Sequence, residues 1–187
     1  MAVKHLVYLV GPPGVGKSSV MVELTQRCRR IPRLGPLPHD DLYRGHSDRT
    51  TAVEIGRRRD SFSGTDALGM AVQPHAVEWI GRATCPLVLG EGARLGNAGF
   101  LSAARLAGYT LHLVHLSADP HTLAARRLKR GSKQSPVWIR GAETRARRIM
   151  ERMALDAQNY FVVTDRLTPR QIADLLIEEI PELGVLW

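Results

Sequence analysis

Cysteine is nearly absent from this 187-residue chain, with Cys28 and Cys85 standing alone and no C-x-x-C or His-rich spacing around them. That excludes a disulfide scaffold and a cysteine-built metal site, and both side chains are expected to be reduced thiols. No run of 18 apolar residues occurs, so no membrane-spanning helix is expected, and the first residues lack the apolar stretch of a secretory leader. Together these absences point to a cytoplasmic protein. Aromatic residues make up only 5% of the chain, so any pocket that stacks a ring must draw on few side chains. Acidic residues are also in deficit, 18 Asp+Glu against 26 Lys+Arg.

The resulting charge of +8 is unevenly spread. One cluster is Arg57-Arg58-Arg59; a second runs from Arg126-Arg127-Leu128-Lys129-Arg130 through Lys133, Arg140, Arg145, Arg147 and Arg148. A polyanionic partner would reward this excess through counterion release. Arginines serving a nucleotide and a solvated surface are the competing account. The apolar fraction, 44%, is ordinary for a globular chain, and 187 residues suit one domain, 1–187, able to bury its own core.

Gly11-Pro12-Pro13-Gly14-Val15-Gly16-Lys17-Ser18 is a full G-x-x-x-x-G-K-S phosphate-binding loop directly after the apolar run Leu6-Val7-Tyr8-Leu9-Val10. The loop needs a buried strand before it and a helix after it, and both are in place. Gly11, Gly14, Val15, Gly16, Lys17, Ser18 and Ser19 are therefore the expected triphosphate cradle. Lys17 reaches the β and γ phosphates, and the Ser18 hydroxyl is a ligand for Mg²⁺. ATP and Mg²⁺ are the expected donor and metal.

Short apolar runs at Lys4–Val10, 86–90, 110–116 and 160–163 alternate with helical spacing at 18–30, 68–83, 97–107, 120–130, 142–157 and 169–179. A further strand is placed at 34–38, short or at an edge because it holds two prolines. The pattern predicts an α/β fold of three layers, α/β/α, with a mostly parallel sheet of about five strands and a helical lid at about 126–148. Ligands should gather at the carboxyl ends of the strands.

Candidate residues fall at those ends. Asp40 and Asp41, placed after the second strand, are candidate general bases for an attacking hydroxyl, with Asp40 ranked first; Arg44 would bind the acceptor or the transferring phosphoryl group. A solvated Asp-Asp turn is the simpler account. Glu91, after the apolar run 87–90, is the expected metal-water contact, or else holds the acceptor, and Arg94 would pair with it or with phosphate. Phe62 offers a stacking face, and Ser63, Thr65 and Asp66 offer hydrogen bonds to a base or hydroxyl; Thr65 or Asp66 would also serve as N-cap of the next helix. Arg58 would meet a nucleic-acid backbone or simply face solvent. Arg126 and Arg130, at i and i+4, converge on one anion, and Trp138 either stacks on a base or anchors the lid.

The run His39-Asp40-Asp41-Leu42-Tyr43-Arg44 resembles the Arg-Asp-Asp-Tyr-Arg pattern of the small phosphate-loop kinases that include polynucleotide 5′-hydroxyl kinases, departing from it by the extra Leu42 and by His39 in place of the first arginine. The phosphate loop, residues 56–68 with their Ser-Phe-Ser-Gly-Thr-Asp stretch, residues 89–95 and the Trp-Ile-Arg-Gly of the lid together resemble phage-type kinases of 5-hydroxymethyluracil in DNA, over about residues 5 to 165. That resemblance implies ATP-dependent phosphorylation of the hydroxymethyl group of a 5-hydroxymethylpyrimidine in DNA, a step of DNA hypermodification, carried out in a host cytoplasm if the chain is phage-encoded. The partner would then be DNA, whose target base must leave the stack. Two other classes fit the same loop: a kinase of a free nucleoside, nucleotide or sugar, and an ATP-binding switch protein without an acceptor.

Overall fold

A computed structural model describes residues 3–57, 64–132 and 134–187. Its centre is strand β1, Lys4–Val10, in which Leu6 through Val10 are buried. A strand with no polar face must be covered on both sides, and this one is. Val7 and Leu9 point into one apolar layer, Leu6, Tyr8 and Val10 into the other, by the two-residue period of a strand.

Three strands linked by antiparallel pairing come next in the chain: β2, Cys28–Arg33; β3, His39–Arg44; and β4, Ala52–Ile55. They are followed by β5, Leu87–Glu91, β6, Tyr109–Ser117, and β7, Gln158–Val163. The seven strands lie in the order β2-β3-β4-β5-β1-β6-β7. From β4 to β7 every pairing is parallel, with β1 between β5 and β6, whereas β2–β3 and β3–β4 are antiparallel.

Helices close both faces. On one side α1, Lys17–Thr25, contributes Val20, Met21 and Leu24, and α6, Pro169–Glu179, contributes Ile172, Ala173 and Leu176. On the other, α2, Gln73–Arg82, α3, Ala98–Leu106, and α5, Pro136–Arg152, bring Ile80, Phe100, Leu101, Ile149 and Met150 against the sheet. The expected three-layer, mostly parallel α/β architecture is therefore the one observed. Between β6 and α5 lies α4, Pro120–Lys129, opened by Asp119, whose side chain accepts from the His121 amide. A 3-10 segment, Pro181–Leu186, ends the chain and buries Leu183 and Leu186 beside α1 and α6. No described helix is long and apolar enough to cross a membrane.

Local differences from the sequence reading have physical causes. The first helix stops at Thr25 rather than residue 30, because Cys28-Arg29-Arg30-Ile31-Pro32-Arg33 pairs as β2. Pro32 is tolerated there because β2 is an edge strand, and the arginines discourage a further strand from adding to it. Residues 34–38 form the β2–β3 connection instead of a strand, their two prolines being unable to donate to a ladder. The sheet has seven strands rather than about five, since β2, β3 and β4 replace that single short one. The helix expected from residue 68 begins at Gln73, and Thr65–Ala67 is a separate 3-10 turn, so neither Thr65 nor Asp66 caps it. The helix expected over 142–157 runs over Pro136–Arg152, started by Ser135 as N-cap and Pro136 in its first turn.

Candidate active site

The phosphate loop joins β1 to α1 at the carboxyl edge of the parallel strands, where ligands of such sheets bind. Gly11, Gly14 and Gly16 all take positive φ, and a Cβ on Gly11 would run into the Leu116 carbonyl oxygen of β6. Glycine is thus required by both backbone shape and packing. The Lys17 ammonium donates to the Gly11 and Pro12 carbonyl oxygens at 2.9 and 3.2 Å, folding back over the loop. Burial holds it below the ordinary lysine range, with Glu91 and Asp66 opposing.

The next group comes from β5. Ser18 Oγ donates to Glu91 Oε1 at 2.7 Å, which ties the first turn of α1 to the end of a buried strand. Glu91 is 3% exposed, and burial pushes its carboxyl up to about 7 against the pull of Lys17 and the Ser18 hydroxyl. Gly64, at φ +64°, lies so close that a Cβ there would collide with the Glu91 carboxylate. Two oxygen ligands beside a triphosphate cradle suit Mg²⁺, which keeps waters and takes one or two protein oxygens. Ser18 and Glu91 are the residues that would hold it, and its charge would offset that of the phosphates.

Asp66 stands beside this pair. Its Oδ1 accepts from the Ala93 and Arg94 amides at 2.8 and 3.1 Å, which pins the carboxylate against the turn leaving β5. Thr65 is fully buried: its Oγ1 donates to the Glu91 carbonyl oxygen at 2.8 Å and lies 2.9 Å from the Tyr8 hydroxyl, which donates to Gly92 O. Thr65 therefore braces the Glu91 turn and does not face the cavity. Arg94 does, and its buried Nε has no partner among the described residues.

The opposite wall is the segment after β6. Arg126 reaches Thr164 Oγ1 at 3.0 Å and Thr164 O at 2.8 Å, and Thr164 Oγ1 donates to Val15 O at 3.2 Å. Arg127 donates to Pro13 O at 3.2 Å. The phosphate loop is thereby tied to α4 and to the end of β7. One cavity of about 550 Å³ gathers Gly11, Gly14, Val15, Gly16, Lys17, Ser18 and Ser19 with Glu91, Asp66, Arg94, Arg126, Arg130 and Trp138.

Several expected residues are elsewhere. Asp40 and Asp41 lie inside β3, not beyond a strand end, and neither lines the cavity. Arg30 Nε and Nη2 bind Asp40 Oδ2 at 2.8 and 2.7 Å, and the same Nη2 lies 2.8 Å from Glu54 Oε2. Arg33 Nε holds Asp41 Oδ2 at 2.7 Å. Arg44 is exposed at the other end of β3, near Gly184 O at 3.5 Å. Arg58, Phe62 and Ser63 lie outside the described residues. The sequence reading passed over Thr164, although it sits at the carboxyl end of the last strand, a position the strand-end rule marks.

The ribose 1,5-bisphosphate phosphokinases PhnN of Burkholderia mallei and Burkholderia pseudomallei are each 28% identical over 144 residues, covering 70% of this chain and 72% of theirs. An unliganded sugar kinase from Janibacter superposes with a TM-score of 0.53 at 13% identity, covering 97% of this chain and 98% of that one. Shikimate kinase from Acinetobacter baumannii, in complex with shikimate, gives 0.50 at 14% identity over 96% and 94%. These two likenesses are of fold. The sequence pattern of one family extends over residues 2–178, from before β1 to α6, and by that match the chain belongs to the P-loop Nucleotide Kinase3 family.

Proposed function

We propose that this kinase transfers the γ-phosphoryl group of ATP to a hydroxyl of a small anionic acceptor, a nucleotide or a phosphorylated sugar. The observation that carries the reading is the meeting of Lys17, Ser18 and Glu91 with Asp66 and Arg94 in one cavity. Lys17 and the loop amides hold the donor's phosphates, and Arg126 and Arg130 balance charge on the migrating group. Residues 126–148 act as the lid. Asp66, fixed by two amides, takes the acceptor's hydroxyl proton as the new O–P bond forms and the bond from Pγ to the bridging oxygen of ADP breaks. Arg94, on the cavity wall, offers its guanidinium to an acceptor phosphate. An acceptor that already carries phosphate also fits the kinship with the ribose 1,5-bisphosphate phosphokinases.

A second reading places the acceptor in DNA, as the hydroxymethyl group of a 5-hydroxymethylpyrimidine. It is favoured by the +8 charge and by Arg145, Arg147 and Arg148, exposed on α5 in the chain segment that follows Trp138. The deciding assay supplies γ-labelled ATP and Mg²⁺ with ribose 1,5-bisphosphate, nucleoside monophosphates, free sugars, and matched DNA carrying thymine, 5-hydroxymethyluracil or 5-hydroxymethylcytosine. Label in a small phosphorylated acceptor is the expected result. Label only in hydroxymethylated DNA would replace the first reading by the second, and ATP hydrolysis with no labelled acceptor would leave a nucleotide-driven switch.

A further inference from the structure

At the pole opposite the phosphate loop, the base of the sheet carries two histidines and a carboxylate that the kinase chemistry does not use. His5 is near the start of β1, His112 is in the neighbouring β6, and Glu182 is in the C-terminal 3-10 segment. Their ligand atoms all lie within 4.8 Å of one another, and no other group of three or more histidine, cysteine or acidic side chains among the described residues does so. His5 Nδ1 is 3.0 Å from His112 Nε2 and 3.7 Å from Glu182 Oε1. Tetrahedral zinc, with ligands at 2.0–2.1 Å, separates neighbouring donor atoms by about 3.3–3.4 Å, between the two spacings seen here.

The hydrogen bonds around His112 favour one tautomer. The Tyr160 hydroxyl donates to Gln158 Oε1 at 2.9 Å, so its oxygen accepts from His112 Nδ1–H at 3.1 Å. His112 Nε2 consequently carries a lone pair, directed at His5. This is the ring orientation in which an imidazole serves as a metal ligand: one nitrogen held by a partner that fixes the ring, the other accepting from His5 Nδ1–H at 3.0 Å, a hydrogen bond that an ion would replace. His112 is 3% exposed and the His5 side chain 14%, while that of Glu182, at 35%, leaves one side open for entry and for a water as fourth ligand.

We propose that His5, His112 and Glu182 form a site for a borderline divalent transition metal, with Zn²⁺ as the fitting ion. Imidazole with carboxylate favours zinc over the hard Mg²⁺ of the nucleotide site. The ion would fasten the C-terminal segment, whose Leu183 and Leu186 already cover α1 and α6, to the two strands at the heart of the sheet. His5 and Val10 are five residues apart on β1, which puts the site about 17 Å from the phosphate loop. The site therefore acts on stability rather than on phosphoryl transfer.

The test uses the full chain without a histidine tag, stripped of metal and then held in saturating Mg²⁺ so that the nucleotide site is already served. Titration with Zn²⁺ by calorimetry is expected to show one saturable site, and Co²⁺ the intense visible absorption of a tetrahedral ion. At a hundredfold excess over Kd, Zn²⁺ should raise Tm by about 5–10 °C. Since replacing buried His112 risks the fold, the variants are His5→Gln and Glu182→Gln, each expected to weaken Zn²⁺ binding at least tenfold and to abolish the Tm rise. Glu182→Gln should turn over like the wild type. Absence of saturable Zn²⁺ binding, or binding and Tm shifts that survive both substitutions, overturns the proposal.

Discussion

Two clusters of acid and base sit on the sheet, and they differ in whether anything is left to bind. In the first, Arg30 closes on Asp40 and Glu54 while Thr25 takes a further guanidinium N–H at 3.0 Å, so cation and anions answer one another inside the fold. In the second, Lys17, Ser18, Glu91 and Asp66 are arranged around a cavity, with a raised carboxyl, a depressed ammonium and an arginine whose Nε has no described partner. Buried charge that is mutually satisfied tends to hold structure; charge held apart by backbone amides and glycine turns is available to a ligand. Both clusters contain the residue types of phosphoryl transfer. Only the second has its groups lining the cavity at the phosphate loop.

The largest expected effect belongs to Lys17. Lys17→Ala should lower kcat/KM by 10³-fold or more, on the order expected when a principal charge contact to the transferred group is lost, with the melting curve preserved. Next, Asp66→Asn should lower kcat by about 10²–10³-fold with KM for ATP little changed. Its counterpart in the closed cluster, Asp40→Asn, should leave kcat within twofold while costing about 1–3 kcal/mol of stability, read from thermal and urea melts. The two clusters would have to exchange roles if Asp40→Asn cut turnover and Asp66→Asn did not.

Glu91 gives a pH test. Its folded carboxyl titrates near 7 and its unfolded one near 4.5, so the folded chain binds the extra proton between those values. Without divalent ions, this group's contribution to stability is fully present below about 4.5 and is lost as pH rises through about 7. The Tm of the wild type should therefore fall relative to that of Glu91→Gln from pH 5 to pH 8, and parallel curves would remove the buried acid from the account. The smallest effect is expected at Asp41→Asn: its partner Arg33 is largely exposed, and Tm and turnover should stay within replicate scatter.

Much of this was legible from residue order. The phosphate loop, its flanking strand and the carboxyl-edge position of Glu91 follow from local rules, because G-x-x-x-x-G-K-S and a fully apolar strand each leave few conformations open. Arg126, Arg130, Trp138 and Asp66 also reached the cavity they were assigned to. Asp40 and Asp41 did not, and the error traces to one element: with a strand placed at 34–38, the acids looked like a loop beyond its end. Prolines in that stretch moved the pairing outward to β2 and β3, which put both carboxylates in mid-strand against arginines from a neighbouring strand.

Sequence alone determined the phosphate-loop half of this protein: a parallel sheet built on β1, a glycine-rich loop between strand and helix, and an arginine-bearing segment after β6. Those features are local, set by glycine conformations, apolar periodicity and helix starts. That Asp40 and Asp41 do not face the cavity was decided only in three dimensions, because it depends on how β2, β3 and β4 pair in one register. The same holds for Thr164, which meets Val15 across 149 residues, and for His5, His112 and Glu182, brought together by the parallel pairing of β1 with β6 and the docking of the C-terminus. Long-range pairing leaves no mark in any short window of sequence.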